Sequence, residues 1–167
     1  MYSIDEKDRV VELSDVPQSS VGAPCPVLFA TEHDLHLAYY LQNTPSDWDG
    51  LSVRVMDEST GGEPVAVVTF KHFYSHMFGP PNDEAFSGHP LAARGLRPYS
   101  VSEVQHSSWI RLLDRMNSVH PCHRPDSFSH YKHFIFAFHD TTFECVADGF
   151  TIRCITGSPL SAIQNLP

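Results

Sequence analysis

Apolar and polar residues alternate most clearly in the last third of the chain, where residues 132–148 read KHFIFAFHDTTFECVAD. Phe134, Phe136 and Phe138 recur at every second position, which is the period of a strand with one aromatic face. Asp148-Gly149 predicts a tight hairpin turn, because a type I′ turn needs positive φ at both central positions. A second such turn is expected at Asp140-Thr141.

These two turns predict a three-stranded meander in which Phe138 faces Phe143 and Glu144 faces Arg153. One face would then be apolar and would carry Phe134, Phe136, Phe138, Phe143, Cys145, Ala147, Phe150, Ile152 and Cys154. The opposite face would carry His133, His139, Glu144 and Arg153. Shifting the register by one residue would destroy this separation, which favours the meander.

Shorter apolar runs in the first half of the chain, bounded by turn residues, predict further strands. The expected strands are Arg9–Leu13, Pro26–Thr31, Leu35–Gln42, Leu51–Asp57 and Pro64–Tyr74. Two hairpins should join the last four of these, one through Glu32-His33-Asp34 and the other around residues 58–63.

One helix is expected at about residues 101–119. Ser100 and Glu103 have the spacing of a capping box, in which each side chain satisfies a free backbone N–H of the first turn. Apolar residues then recur at helical spacing, at Trp109, Leu112, Leu113, Met116 and Val119. Pro121 should end the helix near His120.

The fold class expected from these elements is α+β, with about seven or eight mainly antiparallel strands and one principal helix. The sheet would be rolled or barrel-like and packed on the helix; a flat sheet is the alternative. The chain of 167 residues is expected to form a single domain, 1–167, with a loosely ordered tail over 157–167.

Composition narrows the choice of partners. The formal net charge is −9 and the 11 lysines and arginines are scattered, which argues against nucleic acid and anionic membrane. No apolar run is long enough to span a membrane, and the four cysteines form no CxxC pair. We therefore expect a cytoplasmic protein with reduced thiols; a homo-oligomer stays open.

The segment 78–99, beginning FGPPNDEAFSGHPLAARGL, has no clear helical or strand period. Loops this long are usually functional or disordered, and apolar anchors such as Phe86 and Leu91 favour order. It is expected to be an ordered wall or lid of a site; a structural crossover is the alternative. In the first case His89 would be the general acid or base.

The remaining candidates of this first site are polar neighbours of His89. Asp83 or Glu84 would orient its imidazole, while Asn82 and Arg94 would bind substrate, Arg94 by a bidentate contact to an anion. A second candidate site is the polar face of the meander. There His139 and Glu144 would form an acid–base pair oriented by Arg153, which would also bind substrate, unless Glu144 and Arg153 are an ordinary exposed ion pair.

The chain contains 11 histidines, and histidine is both a common proton carrier at neutral pH and a common metal ligand. A bound divalent metal is thus one variant, with His72, His76 and His89 as candidate ligands. The GxGxxG and GxxxxGK[ST] motifs are absent, so no nucleotide cofactor is expected.

These residues predict a small enzyme that acts on a polar small molecule by histidine–carboxylate acid–base chemistry, as a hydrolase, isomerase or cyclase. The alternative is a non-catalytic module that binds a ligand or, through its acidic surface, a basic protein. Exposed aromatic residues would support that alternative, and the candidates are Trp48, Phe73, Tyr74 and Phe78.

Overall fold

The computed structural model describes residues 2–43, 51, 54–124 and 126–166. Within this part the strands are β1 (Arg9–Glu12), β2 (Val27–Ala30), β3 (Leu35–Tyr40), β4 (Glu63–Lys71), β5 (Ser75–Gly79), β6 (Val101–Gln105), β7 (Lys132–Ala137), β8 (Thr142–Ala147) and β9 (Gly149–Gly157). The helices are α1 (Ser108–Asn117) and α2 (Pro159–Gln164). Two short 3₁₀ turns, Phe86–Gly88 and Ala92–Arg94, lie between β5 and β6.

The strands form two antiparallel sheets. One has five strands in the order β1-β6-β7-β8-β5, and the other has four in the order β2-β3-β4-β9. The expected α+β class, with an antiparallel sheet and one main helix, is confirmed. In the described residues neither sheet closes into a barrel.

Aromatic side chains fill the space between the two sheets. Phe136 and Phe143 of the five-stranded sheet pack against Tyr39 and Phe70 of the four-stranded sheet, and all four are buried. On the other side of the five-stranded sheet lies α1, and on the other side of the four-stranded sheet lies α2. Side chains that alternate along β7 and β8 therefore face either the inter-sheet core or α1.

The pairing of β7 with β8 is confirmed, but its register differs from the prediction. Phe136 lies opposite Phe143, whereas a two-residue turn at Asp140-Thr141 would have paired Phe138 with Phe143. The turn lies one residue earlier, at His139-Asp140, where the N–H of Phe138 bonds to the carbonyl of Thr141 at 2.8 Å. A shift of two residues leaves each side chain on its predicted face, so the aromatic face survives.

The predicted hairpin between β8 and β9 is wrong. β9 pairs with β4 in the other sheet, where Arg153 lies opposite Val67, and so Glu144 and Arg153 are not partners. Gly149 does not have the positive φ that a type I′ turn requires. The chain instead crosses from one sheet to the other at Asp148-Gly149. Cys154, expected in the core, is exposed.

The main helix starts later than predicted. Ser107 is its N-cap and accepts a hydrogen bond from the N–H of Ile110 at 3.3 Å. Residues 101–105, expected in the helix, form β6 between β1 and β7. Ser100 is not a helix cap, because its hydroxyl donates to the carbonyl of Arg97.

Other boundaries also differ. Residues 54–57 are not a strand, and residues 52–53 of that expected strand lie outside the described part. β5 includes the first residues of the segment 78–99, which was expected to be loop throughout. The expected loose tail contains α2, which Ser158 and Ser161 cap reciprocally and which packs on the four-stranded sheet. Among the described helices, none has the length and apolarity to cross a bilayer.

Candidate functional site

A buried carboxylate, Glu144, lies at the centre of a polar cluster between α1 and the five-stranded sheet. It accepts hydrogen bonds from Tyr2 Oη at 2.7 Å, from His133 Nε2 at 2.9 Å and from His89 Nε2 at 3.2 Å. All four residues are buried, with exposures of 6% for Glu144 and 0% for His133. We call these four residues the Glu144 cluster.

Strand pairing brings two members of the cluster together. β7 and β8 pair so that Ile135 lies opposite Glu144, which makes His133 the diagonal neighbour of Glu144 on the same face. This face points towards α1, where Trp109 makes an edge contact with the His133 ring at a centroid distance of 5.0 Å. The strand alternation that buries the phenylalanines thus places both polar groups together on the opposite face.

The other two members come from irregular segments. Tyr2 lies in the N-terminal segment, and its ring stacks on Trp109 at a centroid distance of 5.5 Å. His89 follows the first 3₁₀ turn of segment 78–99, and its Nδ1 accepts the N–H of Leu91 at 3.1 Å. That bond leaves Nε2 of His89 as the protonated nitrogen facing Glu144.

The cluster keeps Glu144 ionised. Burial by itself raises the pKa of Glu144, but the hydrogen bonds from His133, His89 and Tyr2 outweigh it and lower the pKa to about 2. Burial and the neighbouring carboxylate of Glu144 raise the pKa of Tyr2, so its phenol stays protonated and donates. With Nε2 of His133 donating to Glu144, Nδ1 of the neutral ring is a hydrogen-bond acceptor.

Ser107 is the hydrogen-bond partner of Nδ1 of His133. Its Oγ lies 2.9 Å from Nδ1 of His133, where it can donate while it accepts from Ile110 as the N-cap of α1. His106, with φ of 55°, makes the sharp turn from β6 into the helix. Ser107, His133 and Glu144 therefore form a continuous chain of hydroxyl, imidazole and carboxylate, which is the arrangement that activates a serine nucleophile.

A cleft of about 600 Å³ lies next to this chain, and we call it the Ser107 cleft. Ser107 is among its lining residues and is 3% exposed, so it lies at the floor. Tyr131 and Ile110 provide apolar wall, and the charged lining includes Lys7 and Lys132. The volume is in the range of small-molecule sites.

A second constellation joins Asp83, Tyr99 and His139 nearer the surface. His139 Nδ1 lies 2.9 Å from Asp83 Oδ2, and the Tyr99 hydroxyl contacts both side chains. The hydrogen bond with Asp83 raises the pKa of Tyr99 to about 12, and the same bond, together with that from His139, lowers the pKa of Asp83. The His139 side chain is 41% exposed. Tyr99 also lines a cleft of about 440 Å³ beside residues 12–19.

The predicted partners are exchanged in the structure. His89 was expected beside Asp83 or Glu84, and His139 beside Glu144. Instead His89 bonds to Glu144 and His139 bonds to Asp83. Glu84 is exposed and lies outside both clusters.

The residues expected to bind substrate are not brought to the Glu144 cluster. Asn82 accepts the N–H of Ala85 and closes a turn. Arg94 is exposed, and its Nη1 donates to the carbonyl of Glu6 at 3.5 Å. Arg153 is exposed on β9 in the other sheet. Their roles in binding stay predictions.

The three candidate metal ligands lie in different surroundings. His72 Nδ1 bonds to Asp148 at 2.7 Å, His76 stacks near Phe143, and His89 belongs to the Glu144 cluster. Across residues 2–43, 51, 54–124 and 126–166, no group of three or more potential ligands is arranged to hold a metal ion.

Sequence reasoning missed Ser107 and Tyr2. The pair Ser107-Ser108 before the apolar positions of the helix is a good N-cap signal, but the capping-box spacing of Ser100 and Glu103 predicts an earlier start. Nothing in the sequence indicates that Tyr2 reaches a carboxylate 142 residues away. The predicted meander puts His133 on the same face as Glu144, as the structure does, but it assigns His133 no role.

Comparison of the chain with protein-family models, with curated protein sequences and with solved structures found no match.

Proposed function

We propose that this protein is a small hydrolase that cleaves an ester or amide bond of a polar small molecule. Ser107 is the nucleophile and His133 is the general base. Glu144 orients the imidazole of His133 through its hydrogen bond to Nε2. The observation that carries this proposal is the pair of 2.9 Å contacts that link Ser107 Oγ to His133 Nδ1 and His133 Nε2 to Glu144 Oε2.

In the first step Ser107 Oγ attacks the acyl carbon and its proton passes to His133 Nδ1. The tetrahedral intermediate collapses, the bond to the leaving alcohol or amine breaks, and His133 returns the proton to that group. Water then attacks the acyl-enzyme, again through His133, and releases the carboxylic acid and free Ser107. Glu144 stabilises the transient imidazolium, which requires that it be ionised, as its pKa of about 2 provides.

The helix that begins at Ser107 supports this chemistry. Ser107 caps the positive end of its dipole, which would favour negative charge that develops on an acyl oxygen bound beside Ser107. Two of its backbone donors are already used, because the N–H of Ser108 bonds to the buried Asp8 carboxylate at 2.7 Å and the N–H of Ile110 bonds to Ser107 Oγ at 3.3 Å. The low exposure of Ser107 means that side chains at the floor of the cleft must shift to admit a carbonyl group.

The test is hydrolysis of p-nitrophenyl acetate by the full chain and by four variants. Ser107→Ala removes the hydroxyl and the cap, whereas Ser107→Asn keeps a good N-cap residue and removes only the nucleophile. His133→Gln should also abolish hydrolysis. The control is Ser108→Ala, because the Ser108 hydroxyl has no hydrogen-bond partner among the described residues.

Loss of hydrolysis in Ser107→Asn and His133→Gln, with activity retained in Ser108→Ala, is the expected result. Equal rates in Ser107→Asn and the unmodified protein would show that Ser107 only caps the helix, and would overturn the proposal.

A non-catalytic binding module is the second candidate, and exposed aromatic residues at one edge of the five-stranded sheet favour it. Tyr74 is 43% exposed and Phe78 on β5 is 40% exposed, while Phe73 is half-buried. Trp48, also named for this purpose, lies outside the described residues. A Tyr74→Ser, Phe78→Ser double variant that loses binding of a polycationic peptide, measured by calorimetry, would support this candidate; unchanged binding would count against it.

A further inference from the structure

Positive charge is concentrated around the Ser107 cleft. Two of the three lysines in the chain, Lys7 and Lys132, line it, together with Arg111. Glu103 is the one acidic side chain in the described part of the lining. In a chain with a formal net charge of −9, this local excess of cations is unusual.

The three cations are not equally engaged. Arg111 is committed to the N-terminal segment, with Nη2 at 2.6 Å from Asp5 and at 4.0 Å from the buried Asp8, while Nη1 donates to the carbonyl of His106. Its charge is therefore neutralised by its own partners. Arg111 orders the wall of the cleft and leaves little potential for a ligand.

The two lysines are more available. Lys132 Nζ lies 3.5 Å from Glu103, and its side chain is 52% exposed, so the pair is loose and solvated. Lys7 has no ion-pair partner among the residues that the structure describes. An anion entering the cleft would meet Lys7 directly and could draw Lys132 from Glu103.

The histidines that line the cleft add no negative charge to it. His106 is exposed at the turn before α1, and His130 lies 3.2 Å from Asp148 and packs on the ring of Tyr131. Val104 and Ile110 complete an apolar wall beside Ser107. The cleft thus combines a cationic rim with an apolar wall.

We infer that the acyl group cleaved at Ser107 carries a second, anionic group, as in the monoester of a short dicarboxylic acid. The carbonyl would lie at Ser107, the methylene chain along Val104 and Ile110, and the free carboxylate between Lys7 and Lys132. This inference rests on the proposed function, and it adds the class of substrate and the residues that select it.

The experiment compares two p-nitrophenyl esters of similar length, the pentanoate and the glutarate monoester, with the unmodified protein. The variants are Lys7→Gln and Lys132→Gln, and the matched control is Lys71→Gln. Lys71 is an exposed lysine at the end of β4, outside the cleft, so the control makes the same change of net charge.

We expect the glutarate monoester to have a kcat/KM about tenfold above that of the pentanoate, which corresponds to about 1.4 kcal/mol of additional binding from the two lysines together. Lys7→Gln and Lys132→Gln should raise KM for the glutarate monoester, leave the pentanoate unchanged and reduce the preference; Lys71→Gln should preserve it. High salt should also reduce the preference.

Ser107-dependent hydrolysis of both esters at equal efficiency would overturn this inference and leave the proposed function intact. A preference that persists in both cleft variants would overturn it as well. Failure to hydrolyse either ester would instead overturn the proposed function, and the substrate class with it.

Discussion

Nε2 of His89 lies 3.2 Å from Oε1 of Glu144, although the two residues are 55 positions apart in the chain. Their side chains are 1% and 8% exposed. A carboxylate at this depth is stable only while its donors are in place, because an unpaired buried charge costs several kcal/mol. Tyr2, His89 and His133 together supply those donors and tie three segments of the chain to one charge.

Acid should destabilise the protein through Glu144. Its folded-state pKa of about 2 is below the ordinary value of 4.5, so its contribution to stability is fully present above about pH 4.5 and is lost as pH falls towards 2. The shift corresponds to roughly 3 kcal/mol. Urea unfolding at decreasing pH measures the free energy of unfolding of the unmodified protein and of Glu144→Gln. The variant should lack the loss of stability that the protonation of Glu144 causes.

The control for that measurement is Glu84→Gln, which removes a carboxylate that is exposed and outside the cluster. Its pH dependence should match that of the unmodified protein. If Glu144→Gln also kept the full slope between about pH 5 and pH 2, the charge of Glu144 would not be stabilised by the cluster.

His89→Ala should destabilise the fold by about 2–4 kcal/mol, because it removes a buried side chain with two hydrogen bonds. The N–H of Leu91 would lose its acceptor and Glu144 would lose a donor. Chemical denaturation measures the change, with His33→Ala, an exposed turn position, as the control. A His89→Ala variant as stable as the control would show that the buried hydrogen bonds of His89 contribute little to the stability of the fold.

The Asp83–Tyr99–His139 constellation predicts a shifted tyrosine titration. Because the hydrogen bond to Asp83 raises the pKa of Tyr99 to about 12, Asp83→Asn should move the Tyr99 titration back towards the ordinary value of 10.0. The ultraviolet absorbance of tyrosinate, taken as the difference from Tyr99→Phe, isolates this residue. An identical Tyr99 titration in Asp83→Asn and in the unmodified protein would contradict the contact.

The division of side chains between faces could be predicted from sequence, because it depends on a local period of two. Phe134, Phe136 and Phe143 lie on the aromatic face as expected, and His133 and Glu144 lie on the opposite one. Register and sheet membership could not be predicted, because they depend on non-local pairing. β9 has the alternation of a hairpin partner for β8, yet it joins β4 instead.

The hydrogen-bond partners within the candidate site could not be predicted either, because they also depend on contacts between distant parts of the chain. His89, Asp83 and Glu84 are close in sequence, but the segment that carries them folds so that His89 turns into the protein while Asp83 stays near the surface. The role of Ser107 could not be recognised because the predicted helix starts at about residue 101, before Ser107. A residue assigned to the interior of a helix cannot be recognised as the turn that presents a hydroxyl to His133.

The measurement that addresses the Ser107–His133–Glu144 assignment most directly is covalent labelling with a fluorophosphonate, followed by peptide mass spectrometry. An activated serine displaces fluoride and forms a stable bond from Oγ to phosphorus, so no natural substrate is needed. We predict one adduct per chain on Ser107, lost in His133→Gln and retained in Ser108→Ala. An unlabelled Ser107, or labelling that is the same in His133→Gln, would contradict the assignment of Ser107 as a nucleophile activated by His133.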